Sequence, residues 1–172
     1  MTVWGTLEGG LDWQLVQNGF VSAFRQPEAL DGASAWLSAR GYRIVRLSAS
    51  GWANEAALHR DFASQLEFPA YYGRNFNALA DCLRDVAEAA YGWSEDETGL
   101  IIVLDKFDEF VRADPEGAGI VLRILDDTGR TAALYGNRVL CLIDSSDSSI
   151  DLKFVEPKRL TWIDSVMVEG YR

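Results

Sequence analysis

Residues 71–83 read Tyr-Tyr-Gly-Arg-Asn-Phe-Asn-Ala-Leu-Ala-Asp-Cys-Leu. Pro69 cannot continue a helix arriving from the N-terminal side, and Gly73 permits a tight backbone, so 68–74 is predicted to be a loop. Asn75 is a good N-cap, since its side-chain oxygen can accept a first-turn amide, and it opens a helix predicted over 76–90. Phe76, Leu79, Ala80, Leu83 and Ala87 fall on one face of that helix and form an apolar stripe. Asn77, Asp81, Arg84 and Glu88 then lie on its outward side. Aromatic residues beside a carboxylate on a rigid helix suit a protein interface: rings bury area cheaply, and the acid meets a basic pocket. Tyr72 is equally suited to packing in the core.

The rest of the chain arranges itself around this loop and helix. Upstream, Asn54 or Glu55 opens a helix to about Leu66, with Ala57, Leu58, Phe62 and Leu66 at helical spacing. Tyr42–Leu47 is a strand rich in β-formers. It follows a helix over about 32–40, capped by Asp31 and ended by Gly41 in the left-handed conformation, with Ala33, Trp36 and Leu37 on one face. Phe20–Arg25 alternates like a strand and stops at Pro27. Gly9–Asn18 is a short helix or turn, with Asp12 able to cap it and Gly19 to end it. This strand–helix–strand order predicts a right-handed parallel crossover. Trp4, Trp13 and Trp36 are expected to pack in this added N-terminal layer.

Downstream, 92–98 is a polar connection. Leu100–Leu104 is apolar on both faces, as expected at the centre of a parallel sheet. Asp114 and Pro115 begin a helix to about Thr128, with Ile120, Val121, Ile124 and Leu125 inward. Val139–Ile143 is a further buried strand and 144–149 a polar loop. The tail holds strand-like stretches around Lys153 and over 162–168. No repeat or linker divides the chain, so 1–172 is read as one α/β domain. It has a small, mainly parallel sheet covered by helices, extended by an N-terminal strand–helix unit.

Charge narrows the partners. Twenty-six acidic residues against sixteen basic ones leave a formal charge of −10. That excess disfavours direct nucleic-acid binding, where affinity comes from cations replacing counterions, and steers basic proteins toward the chain. There is no apolar run long enough to span a bilayer and no signal-peptide pattern, so a cytoplasmic location without membrane attachment is expected. Cys82 and Cys141, both among apolar neighbours, are expected to be buried free thiols.

The 71–83 stretch resembles the YYGxNxxALxDCL signature of the barstar family of intracellular ribonuclease inhibitors. The likeness covers about 42–145, leaving 1–41 and 146–172 as flanking additions. The resemblance implies that this loop and helix plug the cleft of a basic ribonuclease or nuclease toxin, as an inhibitor or immunity protein without catalysis. It implies that Asp81 is the dominant acidic contact and that Tyr71 packs on the nuclease's catalytic base. Gly73 and Asn75 occupy loop contact positions, with Tyr72 and Asn77 in the same segment. Asp127 stands near a peripheral glutamate of the family. Three positions depart: Asn77 replaces an acid, Ala80 a tryptophan and Arg74 a glutamate. Trp93 either restores some aromatic surface or belongs to the core.

Two other constellations offer alternatives. His59, the single histidine, has no serine or cysteine nucleophile beside it, so no catalytic residue is assigned. Asp105, Asp108 and Glu109, with Asp144 and Asp147, follow two central strands where α/β ligand sites lie, and an acidic-cluster metal-dependent hydrolase is the enzymatic alternative. Solvated loop acids are the simpler account, because no phosphate-binding glycine loop accompanies them. No cofactor and no metal ligand is therefore expected. The further alternative is a divergent protein-binding scaffold with a non-nuclease partner, as Arg74, Asn77 and Ala80 permit.

Overall fold

The computed structural model describes residues 9–17, 19–146 and 161–163. In chain order these form α1 (Leu11–Val16), β1 (Val21–Phe24), α2 (Pro27–Ser38), β2 (Tyr42–Ser48), a 3-10 turn (Ala49–Gly51) and α3 (Glu55–Gln65). There follow α4 (Phe76–Ala87), β3 (Gly99–Asp105), α5 (Phe107–Ala113), α6 (Pro115–Leu134), β4 (Val139–Asp144) and β5 (Thr161–Ile163). The strands form one sheet in the order β2-β3-β4-β1-β5, and every pairing is parallel. The mainly parallel, helix-covered α/β arrangement expected from sequence is what the chain adopts.

Alternation along the two central strands builds two cores. Leu100, Ile102, Leu104, Val139, Cys141 and Ile143 join the side chains of α3, α4, α5 and α6 on one face. Ile101, Val103, Leu140 and Leu142 join α1 and α2 on the other. Successive strand side chains point to opposite faces, so strands covered on both sides need unbroken apolar runs. Trp52 anchors the first core, stacked edge-on against Phe110 at 5.3 Å with its indole N–H donated to Asp61 at 2.9 Å. Both cysteines are buried and free. Trp93 is also core, donating its indole N–H to the Val86 carbonyl at 2.7 Å.

Several local expectations change. Pro27 does not end β1 so much as begin α2: it occupies the first turn, where its missing N–H has no cost. Asp31 therefore lies inside α2 and caps nothing; it pairs with Arg46 at 2.8 Å. Asp12 is not a cap either. Gly10 holds the N-cap position of α1, and the buried Asp12 carboxylate accepts the Tyr42 hydroxyl at 2.7 Å. Burial, helped by that carboxylate, pushes the Tyr42 phenol far above its ordinary range.

Asp108 and Glu109, read as loop acids, sit in the first turn of α5, a helix too short to show its period. α4 stops at Ala87, three residues early, with Ala89 left-handed at φ 60°. α6 runs six residues past Thr128, because Gly129 continues the helix and Ala132 keeps its buried face going. β1 and β2 are parallel but not neighbours, since β3 and β4 lie between them. Of the tail, 161–163 extends the sheet beside β1, while the stretch around Lys153 lies outside the described residues.

Candidate protein-binding surface

The loop before α4 is set by a buried pair beneath it. Tyr72 is 9% exposed and its hydroxyl lies 2.5 Å from His59 Nδ1. The His59 ring also packs against Phe76 at 5.4 Å, and Phe68 packs edge-on against Tyr72 at 4.9 Å. Glu55 stands 3.8 Å from His59 Nε2, which favours the proton on that nitrogen and makes Tyr72 O–H the donor to Nδ1. Tyr72 thus belongs to the core and holds the loop from below. Its chain neighbour Tyr71 points outward and is 80% exposed.

Desolvation lowers the His59 pKa from 6.5, and Glu55, too distant for a hydrogen bond, offsets this only partly. The sign follows directly. Between 6.5 and the depressed native value the unfolded chain binds a proton that the native chain refuses, so stability falls as pH drops through that window. The melting temperature should decline below about pH 6.5, and His59→Gln should remove that part of the slope. A slope unchanged in His59→Gln would assign acid sensitivity elsewhere.

Asn75 caps α4 as its position predicts: its side-chain oxygen accepts from Ala78 N at 2.9 Å, and its amide reaches the Gly73 carbonyl at 3.3 Å. Asn75→Ala should cost about 1 kcal/mol of stability, readable by denaturant titration. Gly73 is crowded by Ala78, whose Cβ lies 3.3 Å from where a glycine substituent would stand. Arg74 holds a left-handed φ of 52°, an uncommon conformation for a residue with a side chain. Asn77, like Arg74, is exposed.

Asp81 projects from the middle of α4 with 71% of its side chain exposed, 3.3 Å from Arg84 one turn on. Asp127, on α6, is 79% exposed and lies 3.9 Å from Arg130. The two helices frame a groove whose walls include Ala80, Arg84 and Asp127 together, with Asp81 outside its lining. Ala80, assigned to the buried stripe by spacing, is only half-buried and borders this groove. Sequence reasoning did not find Ile124, Thr128 and Thr131 as groove residues. Their role depends on where α6 lies against α4, which no local pattern encodes.

The other acids are spent on structure. Asp105 makes a two-point ion pair with Arg46, Asp108 pairs with Arg112 at 3.2 Å, and Asp144 accepts Lys106 N at 3.4 Å. Desolvation raises the Asp144 pKa. Among the described residues no group of three His, Cys, Asp or Glu side chains is placed to hold a metal ion, and Asp147 lies outside them. Among the same residues no helix is long and apolar enough to cross a membrane.

A parallel sheet walled by helices, with an aromatic loop and an acid-bearing helix pair at one side, defines a layered α/β protein of the barstar type. The chain belongs to the Barstar (barnase inhibitor) family, whose sequence model matches residues 42–144. It is 36% identical over 66 residues to the protein named "Putative ribonuclease inhibitor YrdF" of Bacillus subtilis (strain 168). That match covers 38% of this chain and 63% of the relative's length.

Proposed function

We propose that the chain is an inhibitor or immunity protein that binds a basic ribonuclease or nuclease toxin one-to-one in the cytoplasm and has no catalysis of its own. The observation that carries this reading is the outward presentation of Tyr71, Asp81 and Asp127 on a barstar-family scaffold. Tyr71 supplies an aromatic anchor and Asp81 a carboxylate fixed on a helix, the combination that reaches into a cationic phosphate-binding cleft. Tyr72, Gly73 and Asn75 shape the loop that holds them, and Asn77 completes the outward face. The formal charge of −10 supports fast encounter with a cationic partner.

The test is titration of basic microbial ribonucleases, barnase among them, with the purified chain. RNA cleavage should vanish at one equivalent for a cognate enzyme. Absence of any complex across such a panel counts against the reading.

A second reading, a scaffold turned to a non-nuclease protein, draws on Arg74, Asn77 and Ala80, which remove acid and aromatic surface from the patch. Affinity purification from the native cells separates the two by the identity of the captured partner.

A further inference from the structure

Among the described residues the large hydrophobic side chains left exposed are Tyr71, Leu134 and Tyr135. Tyr71 stands before α4. The other two lie at the end of α6, Leu134 86% and Tyr135 58% exposed. Their position is fixed: left-handed Gly136 follows the helix, and Asn137 donates its side-chain amide to the Ala87 carbonyl at 2.9 Å, tying α6 to the end of α4. The Tyr135 hydroxyl donates to Glu88, the C-cap of α4, which raises the phenol's pKa, while Arg84 beside it acts the other way. Arg84 also lies 3.3 Å from Asp81. Asp81, Arg84, Glu88 and Tyr135 therefore form one continuous surface.

Asp81 and Glu88 are two helical turns apart, so they share a face at a spacing of about 10 Å. A standard interface covers about 800 Å² on each partner, a disc of about 16 Å radius. A protein centred on Asp81 therefore reaches Tyr135. A second copy of the chain suits this place poorly. Two chains of formal charge −10 repel each other, and two exposed side chains fall short of the area a stable dimer needs. A basic partner is drawn by the same charge.

What the partner meets there is a ring face, an apolar shelf and a carboxylate. No lysine or arginine among the described residues forms an ion pair with that carboxylate. An arginine matches all three, because its stem covers apolar surface while its planar head stacks on a ring and forks to an acid. We propose that Leu134, Tyr135 and Glu88 are the seat for one arginine of the basic protein partner, a second anchor two turns along α4 from Asp81. This rests on the reading of Asp81 as the docking centre.

The probe is the ribonuclease, barnase or another basic microbial enzyme, with which the chain forms an Asp81-dependent complex. Tyr135→Ala should weaken that complex by about tenfold or more, and Leu134→Ala by about threefold. Tyr135→Trp should keep the affinity, since tryptophan holds a cation best, whereas Tyr135→Leu, apolar but without a π face, should lose it. Glu88→Gln should weaken binding more than Glu28→Gln, which removes the same charge from exposed α2 on the other side of the sheet. These side chains are exposed, so melting temperatures should hardly move. In methyl NMR a soluble gadolinium chelate should broaden Leu134 in the free chain and spare it in the complex.

A loss under about twofold in Tyr135→Ala, native affinity in Tyr135→Leu, or equal effects of the two glutamine variants would overturn the seat. So would Leu134 methyls broadened alike in both states. If Asp81→Ala still weakens the complex, the inhibitor reading survives that failure. No complex with any enzyme of the panel removes the reading and the seat together.

Discussion

Asp81→Ala should weaken the complex with the cognate ribonuclease by at least about 30-fold, or about 2 kcal/mol, the threshold of an interface hot spot. The side chain is 71% exposed and its ion pair with Arg84 spans 3.3 Å on the surface, where such pairs contribute little. Alanine favours a helix interior, so the melting temperature should stay within what surface substitutions ordinarily cause. Binding loss without unfolding is the signature sought. It should appear mainly in the dissociation rate, because a desolvated acid facing a cationic pocket leaves that pocket's charges unpaired once removed. Asp127→Ala, at the rim, should change the association rate and its salt dependence more than the lifetime. Calorimetry alongside stopped-flow kinetics reads both quantities. Equal affinities for the native chain and Asp81→Ala would remove α4 as the docking helix.

How far the site was legible depended on the range of the interactions that make it. Asn75 could be read because a cap acts over three residues, from its own oxygen to Ala78 N. Tyr42–Ser48 could be read from its β-formers Ile44 and Val45, and Gly99–Asp105 because a strand buried on both faces has to be continuously apolar. Asp12 was misread as a cap because its partner, the Tyr42 hydroxyl, lies 30 residues away. Tyr71 and Tyr72 are adjacent and chemically identical, and it is contact with His59 on another helix and with Phe68 that distinguishes the inward one from the outward one. α5 escaped because a seven-residue helix shows fewer than two turns of pattern. The half-buried state of Ala80 and the groove beside it arise from two helices meeting, so helical spacing alone placed Ala80 in the core. The acid-bearing segment was thus visible in the sequence, while the shape of the surface around it required the fold.

Gly129→Val should destabilise the protein by about 3 kcal/mol, the upper end of what overpacking costs. Glycine inside a helix is ordinarily a liability of about 0.5–1 kcal/mol relative to alanine, so substitution here would normally help. Contact decides otherwise. A Cβ on Gly129 would stand 2.4 Å from Phe20 Cβ and 2.6 Å from its Cγ, atoms near the Phe20 backbone that cannot swing away. Phe20 is itself held: its N–H donates to Asp126 Oδ1 at 3.0 Å, and its carbonyl accepts Cys141 N at 2.8 Å. The substitution therefore pushes β1 and the N-terminal unit away from α6, the helix that also carries Asp127. For a chain of this size the melting temperature should fall by roughly 6–12 °C. Phe20→Gly removes both the opposing Cβ and the ring, so the double variant should lose less stability than the two single losses added together. A coupling energy indistinguishable from zero, within about 0.5 kcal/mol, would mean that the contact is not what excludes a side chain at 129. Because Asp81 lies on α4 and not on the displaced layer, Gly129→Val should spare Asp81-dependent binding at low temperature, separating the packing of the added N-terminal unit from the docking surface.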